Sequence, residues 1–214
     1  MPESKPKPGS KPEKVKRRKM GADKRALVID AAVRAMNTKG LDGIHARTLA
    51  ARAGISVGSI YNLFEDLDEL IRIVNAQTYD ELYREVSDAL ETSRKAGETP
   101  RDQMLALAER YLDYVETHQT RWLAVLAFNR SQTEPPPNWY LEKELALFQV
   151  IEDAIVAFPG ASDSQIRHNN ARALWASVHG IVTIAVADGF MMQRIEAVWE
   201  QIQIIINAVA ASLE

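Results

Sequence analysis

Apolar positions recur along the chain at spacings of three and four, the period of an α-helix, and no segment alternates with the period of two that marks a strand. Leu27, Ala31 and Ala35, with Val28, Ala32 and Met36 beside them, form the first such face. It predicts a helix that Asp23 caps and Gly40 ends. A long helix is predicted from Asp66 to about Ser93, with Asp68 and Glu69 in its first turn, where carboxylates suit the positive end of the helix dipole. Gly97 and Pro100 break the pattern, and Pro100 opens a helix with Met104, Leu107, Tyr111, Tyr114 and His118 on one side. A short helix follows over 121–129, then a loop over 131–138 containing three successive prolines. Residues 139–157 are amphipathic, with Leu141, Leu145, Phe148 and Ile155 aligned, until Pro159 and Gly160 stop them. Residues 162–187 and 194–213 make the last two helices. The pattern predicts an all-α fold of about nine helices, with a small N-terminal domain continuous with a larger helical body.

The segment from His45 to Phe64 reads HARTLAARAGISVGSIYNLF and is the densest in information. It predicts two short helices, 46–53 and 57–64, with Gly54 at the reversal, where a positive φ is needed. Ala50 is small where the helices cross, and Leu49, Ile55 and Ile60 supply apolar contacts between them. Ser56 is a good N-cap for the second helix. That helix is only about 12 Å long at 1.5 Å per residue, too short to be stable alone. It carries Gly58, Ser59, Asn62 and an outward Tyr61. A short helix with a thin polar face, supported by its neighbours, suits the major groove of DNA. An ordinary core hairpin is the plain alternative, but it has no use for Gly54, Gly58 and Tyr61 together.

Charge sharpens this picture. Residues 1–64 hold 14 basic and 5 acidic side chains, a balance of +9, whereas 65–214 hold 12 and 24, a balance of −12, within a net charge of −3. A basic end on an acidic body attracts a polyanion at one end and holds the rest away from it. Residues 1–21 are rich in Lys and Pro and read as a disordered basic tail. Their run KVKRRK, 14–19, is open to three readings: an arm on phosphates or in the minor groove, a localisation signal, or a solvated tail. There is no cysteine, which removes disulfides and thiolate chemistry and fits a reducing cytoplasm. No secretory signal is expected at this N-terminus. The longest apolar stretch, 173–187, contains His179 and is shorter than a membrane span, so no membrane partner is expected.

The run A-x-x-A-G-I-S-x-G-x-x-Y-x-x-F, Ala50 to Phe64, set between Gly40 and Leu70, resembles the DNA-binding domain of TetR-type transcriptional regulators over residues 22–82. The resemblance implies a homodimer on a palindromic double-stranded operator. The second helix would lie in the major groove, with Val57, Gly58, Tyr61 and Asn62 on it and Ser56 and Ser59 donating to phosphates or base edges. His45, Arg47 and Thr48 would hold the flanking backbone. Two departures thin these anchors: His45 stands where Thr is usual, and Leu67 where Lys is common.

The last two helices are apolar over broad faces, through Leu174, Trp175, Val178, Val182 and Val186, and then Val198, Trp199, Ile202, Ile205, Ile206 and Val209. One core needs a narrower stripe, so a second buried face and hence a partner is implied, unless these helices are the core of a monomer. The family likeness places dimerisation here, on Trp175, Val178, Val182, Trp199, Ile202 and Ile206. Trp175, His179 and Gly180 form W-x-x-x-H-G, similar to the Trp-His-Gly signature of one C-terminal subclass. His179 then lines an effector pocket or sits satisfied at a helix contact that Gly180 allows. The likeness also implies a small-molecule effector held within residues 83–214. Tyr111, Tyr114, His118, Trp122, Trp139 and Phe148 can line its site, or can be plain core.

Catalysis finds no support. His45, His118, His168 and His179 have no metal-ligand spacing, and neither a nucleophile elbow nor a phosphate-binding glycine loop is present. The expected protein is a cytoplasmic, ligand-responsive repressor without cofactor or metal. The alternatives are an activator, a helical dimeric interaction module that does not use DNA, and an enzyme on an all-α scaffold. If the basic tail compensates for the anchors thinned at His45 and Leu67, deleting residues 1–19 weakens DNA binding. The logarithmic salt dependence then flattens by about one unit for each phosphate the tail would have neutralised. Titrations of DNA at several salt concentrations check this.

Overall fold

The computed structural model describes residues 11–187 and 195–214, with the side chains of 20–186 and 197–214. Among the described residues there are nine α-helices and no strand. The chain divides into two compact units, Met1–Val74 and Asn75–Glu214.

The first unit opens with α1 (Lys11–Lys39). It starts well before Asp23, so the expected cap lies inside the helix and the backbone from Lys11 to Gly21 is helical rather than disordered. Lys and Arg are good helix formers, and Pro12 falls in the first turn, where its missing N–H breaks no helical bond. The rest of the expected tail, 1–10, lies outside the described residues. Val28, Ala31, Ala32, Ala35 and Met36 are buried as the spacing requires, whereas Leu27 is 50% exposed.

A 3-10 turn, Gly40–Gly43, follows, with Gly40 at φ 58°. A side chain on Gly43 would lie 2.8 Å from the carbonyl oxygen of Ala35, so glycine is what lets the turn close on α1. Then come α2 (Ala46–Ala53), α3 (Val57–Leu63) and α4 (Leu67–Lys95). The Glu69 N–H donates to Asp66 Oδ1 at 2.6 Å, and the Glu65 N–H donates to Glu69 Oε2 at 2.6 Å, a reciprocal cap that starts α4 at the expected place. Arg25 of α1 lies 4.8 Å over the Phe64 ring and donates to Glu69 at 3.0 Å, tying the entry of α4 to α1. With 29 residues, α4 is roughly 44 Å long and passes from the first unit into the second.

The second unit continues with α5 (Pro100–Thr117), α6 (Gln119–Ser131), α7 (Asn138–Ile155), a 3-10 turn Pro159–Ala161, α8 (Ser164–Ala187) and α9 (Ile195–Leu213). Thr99 caps α5, accepting from the Asp102 N–H at 3.2 Å. α5 packs on α7, α8 and α9, α7 on α8, and α8 on α9. No helix among the described residues is long and apolar enough to cross a membrane.

Two expectations about inward faces fail. On α7, Ile155 is buried as expected and Phe148 half-buried, but Leu141 and Leu145 are 38% and 43% exposed, and Tyr140, Leu147, Val150 and Ala154 join Ile155 in the core. Both stripes have helical spacing, and α5 and α8 cover the one richer in apolar residues. On α8 and α9, Val178, Val182, Ile202 and Ile206 are buried within this protomer, so they are core and not a surface for a partner. Trp175 and Trp199 are half-buried and pack on the same core. The outward positions are others: Ile184 at 50% exposure and Ile204 at 65%.

Two glycines separate fold from function. A side chain on Gly58 would meet nothing within 4 Å, unlike one on Gly43. Gly43→Ala is expected to lower stability by about 1–3 kcal/mol through overpacking. Gly58→Ala is expected to raise it by up to about 1 kcal/mol through helix propensity. Urea unfolding of the two variants checks the opposite signs.

Candidate nucleic-acid interface and internal cavity

α2 ends on Gly54 at φ 67°, the left-handed conformation expected at the reversal. The Ile55 N–H returns to the Ala50 carbonyl at 3.0 Å and the Gly54 N–H to Ala51 at 3.3 Å, which satisfies the helix terminus. Ser56 then caps α3: its Oγ accepts from the Ser59 N–H at 3.2 Å and lies 2.8 Å from the Ser59 hydroxyl. Leu49, Ala50 and Ile60 are buried and pin the two helices together, with Ile55 half-buried beside them. His45 takes the extended N-cap position of α2 and makes no side-chain capping bond.

The outer surface of this pair collects the sequence-selected residues. His45, Arg47, Thr48, Ser56, Val57, Gly58, Tyr61 and Asn62 are exposed or half-buried, and Ser59 is half-buried in the cap. Tyr61 is 55% exposed. A glycine inside a helix costs stability, and a side chain on Gly58 would meet nothing within the fold.

The second unit holds a partly open cavity of about 50 Å³ between α4, α5, α7, α8 and α9. Leu82, Leu107, Val150, Leu174 and Ile206 are among its walls, with Tyr111 and Trp175. Sequence reasoning selected aromatic and polar handles and so missed these aliphatics, which at helical spacing look like any core residue. Trp175, expected at a partner surface, lines the cavity instead.

Of the residues selected as pocket walls, only Tyr111 is one. Its hydroxyl lies 2.7 Å from His179 Nδ1, and the His179 ring stacks on Trp175 at 5.0 Å and 15°. The other ring nitrogen is 3.4 Å from the Thr183 hydroxyl. His179 is therefore a satisfied histidine behind the wall. Gly180 meets no neighbouring atom with its missing side chain, so it does not serve a close contact within this protomer. Trp122 is fully buried, its ring edge-on to Tyr111 at 5.7 Å. Phe148 sits 5.6 Å from Trp175 beneath the Arg172 guanidinium. His118 joins α5 to α6 and lies 4.6 Å from the Tyr114 ring, and Trp139 is exposed.

Tyr114 belongs to a polar cluster. Its hydroxyl donates to the Thr78 carbonyl at 3.1 Å and accepts from Arg121 at 2.8 Å, and Arg121 pairs with Glu81. Burial works against the Arg121 charge, but its bonds to Glu81 and Tyr114 outweigh that and hold its pKa above the usual range. Nearby, the Asn129 amide donates to the Tyr79 hydroxyl at 2.9 Å and accepts from Tyr140 at 2.8 Å. Burial holds both Tyr79 and Tyr111 neutral far above the ordinary phenol range. Among the described residues, no group of three His, Asp or Glu side chains could hold a metal ion.

Comparison with known proteins agrees with both units. Residues 28–74 match the family model of bacterial regulatory proteins, tetR family, and residues 104–203 match the model of the tetracyclin repressor-like C-terminal domain. Trp175, His179 and Gly180 fall inside the second match. The HTH-type nicotine-responsive transcriptional repressor HdnoR of Paenarthrobacter nicotinovorans is 28% identical over 91 residues, 42% of this chain and 43% of that protein. The match thus spans less than half the length of this curated relative. Among solved structures, a Mesorhizobium loti MAFF303099 protein assigned to the TetR family superposes with a TM-score of 0.66 at 18% identity, over 90% of this chain and 97% of that one. The multidrug binding protein EbrR, solved with imidazole, superposes with a TM-score of 0.63 at 20% identity, over 87% and 94%. At such identities the likeness is one of fold alone.

Burial, and secondarily the charge of Arg130, lower the His179 pKa below its ordinary 6.5. The folded state therefore binds this proton less readily than the unfolded chain. Its contribution to stability is complete above 6.5 and is lost as pH falls further. Melting temperatures between about pH 7 and 5 should fall with pH, and less steeply in His179→Gln.

Proposed function

This chain belongs to the TetR family of bacterial transcriptional regulators, and on that premise we propose that it is a homodimeric repressor, released from a two-fold symmetric operator by a small-molecule effector. One observation carries the reading: α3 exposes Tyr61, and Gly58 with open space beside it, on the basic unit of an otherwise acidic chain.

In this mechanism α3 enters the major groove. Tyr61 meets phosphate or a thymine methyl, Gly58 lets the helix backbone come close, and Ser56, Ser59 and Asn62 donate to phosphates or base edges. Val57 adds an apolar contact, while His45, Arg47 and Thr48 hold the flanking backbone. A seven-residue helix reaches few bases, so one copy reads too little sequence to be specific. Two copies read half-sites about 34 Å apart, or a multiple of that. The dimer seam falls on the outward faces of α8 and α9, around Ile184, Gly180 and Ile204, in place of the buried set named from the pattern.

The effector occupies the cavity of the second unit. Leu82 and Val86, two of its walls, lie on α4, whose first turns carry the buried Leu70 and Val74 of the first unit. An occupant that prefers one position of α4 changes the separation of the two α3 helices and disfavours the operator-bound spacing. A nicotine-responsive repressor among the relatives supports repression lifted by a ligand.

Selection from a random DNA pool should enrich a two-fold symmetric site. Tyr61→Ala should weaken binding to it at least ten-fold while sedimentation still shows a dimer. Ile204→Glu should give a monomer that no longer binds. Failure to enrich any sequence, or Tyr61→Ala binding as wild type, would overturn the reading in favour of an interaction module.

A further inference from the structure

We propose that the cavity takes an uncharged, largely hydrophobic small molecule and rejects protonated amines and carboxylates. This names the class of the effector and so rests on the effector-responsive reading above. The walls are aliphatic on every side: Leu82 and Val86 from α4, Leu107 from α5, Val150 from α7, Leu174 from α8 and Ile206 from α9. No charged side chain lines the space. The Tyr111 hydroxyl, a lining heteroatom that hydrogen-bonds strongly, is engaged by His179 at 2.7 Å.

Several charged groups of this unit are paired with one another. Arg121 pairs with Glu81, Lys143 with Asp80 at 2.8 Å, and His168 with Glu152 at 2.9 Å. Arg172 stands 5.7 Å over the Phe148 ring. An ion entering the cavity would lose its water and find no counter-charge on the walls, and burying an unpaired charge is strongly unfavourable. A neutral molecule meets no such barrier and removes its own apolar surface from water. The open volume is about 50 Å³, several times what one water needs, so a compact occupant fits it best. An aromatic or aliphatic compound with at most one neutral polar group fits these walls, that group competing with His179 for Tyr111.

The protein is titrated with the uncharged fluorophore N-phenyl-1-naphthylamine, and the bound probe is displaced with 1-octanol, octanoate and octylammonium at pH 7. These three share one chain and differ in head-group charge. The expected result is saturable binding, with octanol displacing at a concentration at least ten-fold below either ion. Ala108 of α5 also lines the space, and Ala108→Leu, which fills it, should weaken the probe at least ten-fold with the helical circular dichroism retained. Val150→Leu serves the same purpose should Ala108→Leu not fold. Absence of saturable binding, an ion displacing as well as the alcohol, or unchanged binding in a folded filled variant would overturn the proposal.

Gel shifts on the selected operator separate the two readings. If octylammonium displaces the probe and releases the DNA, the effector-responsive reading stands and the neutral class falls. If octanol fills the cavity and the DNA stays bound, the neutral class stands and release by this site falls.

Discussion

A seven-residue helix cannot hold itself in water, and the proposed DNA-facing surface is built on one. α3 keeps its place because Ile60 and the following Phe64 are buried in a core whose other side is the small-residue face of α1. Ala31, Ala32 and Ala35 allow close approach there, and Gly43 permits the turn that returns the chain to α1. Arg25 closes the arrangement by covering Phe64 and bonding Glu69 at the start of α4. The same shortness limits how many bases one copy can touch. The proposed need for a second copy thus grows from the constraint that shapes the first unit.

The second unit solves a different problem. Many of its buried polar groups are gathered into sets, Tyr111 with His179, Arg121 with Glu81 and Tyr114, and Asn129 with Tyr79 and Tyr140. Each set lets a hydroxyl or charge leave water at tolerable cost. What remains between α4, α5, α7, α8 and α9 is apolar wall. No charged side chain is among these walls, and the Tyr111 hydroxyl among them has its partner in His179.

The helix-turn-helix was legible in detail because its signals are local. Gly54 takes its positive φ, Ser56 its cap and Asp66 the start of α4 wherever those residues occur in a helical chain. Leu49, Ala50 and Ile60 are buried, and the residues selected for DNA lie on the open side. The body was legible as helices and misread as faces. Leu141 and Leu145 have the same spacing as the stripe that is actually buried, and Val182 and Ile206 look no different from a residue at a partner seam. Which stripe turns inward depends on which neighbouring helix covers it, a relation between residues far apart in the chain. The start of α1 was misread for a related reason: charge and proline content suggested disorder, while helix propensity and a proline in the first turn favour helix.

The all-α class, most of the helix ends, the recognition motif and the family can be read from the chain without its fold, because periodicity, caps and turns are short-range physics written within a few residues. Packing was needed to show that Trp175 and the aliphatics of five helices enclose a cavity, that His179 stands behind its wall, and that Ile184 and Ile204 rather than Val182 and Ile206 face outward. These depend on how helices with several apolar stripes share a limited interior. Burial of the best-covered stripe, and not the spacing of any one, settles that division.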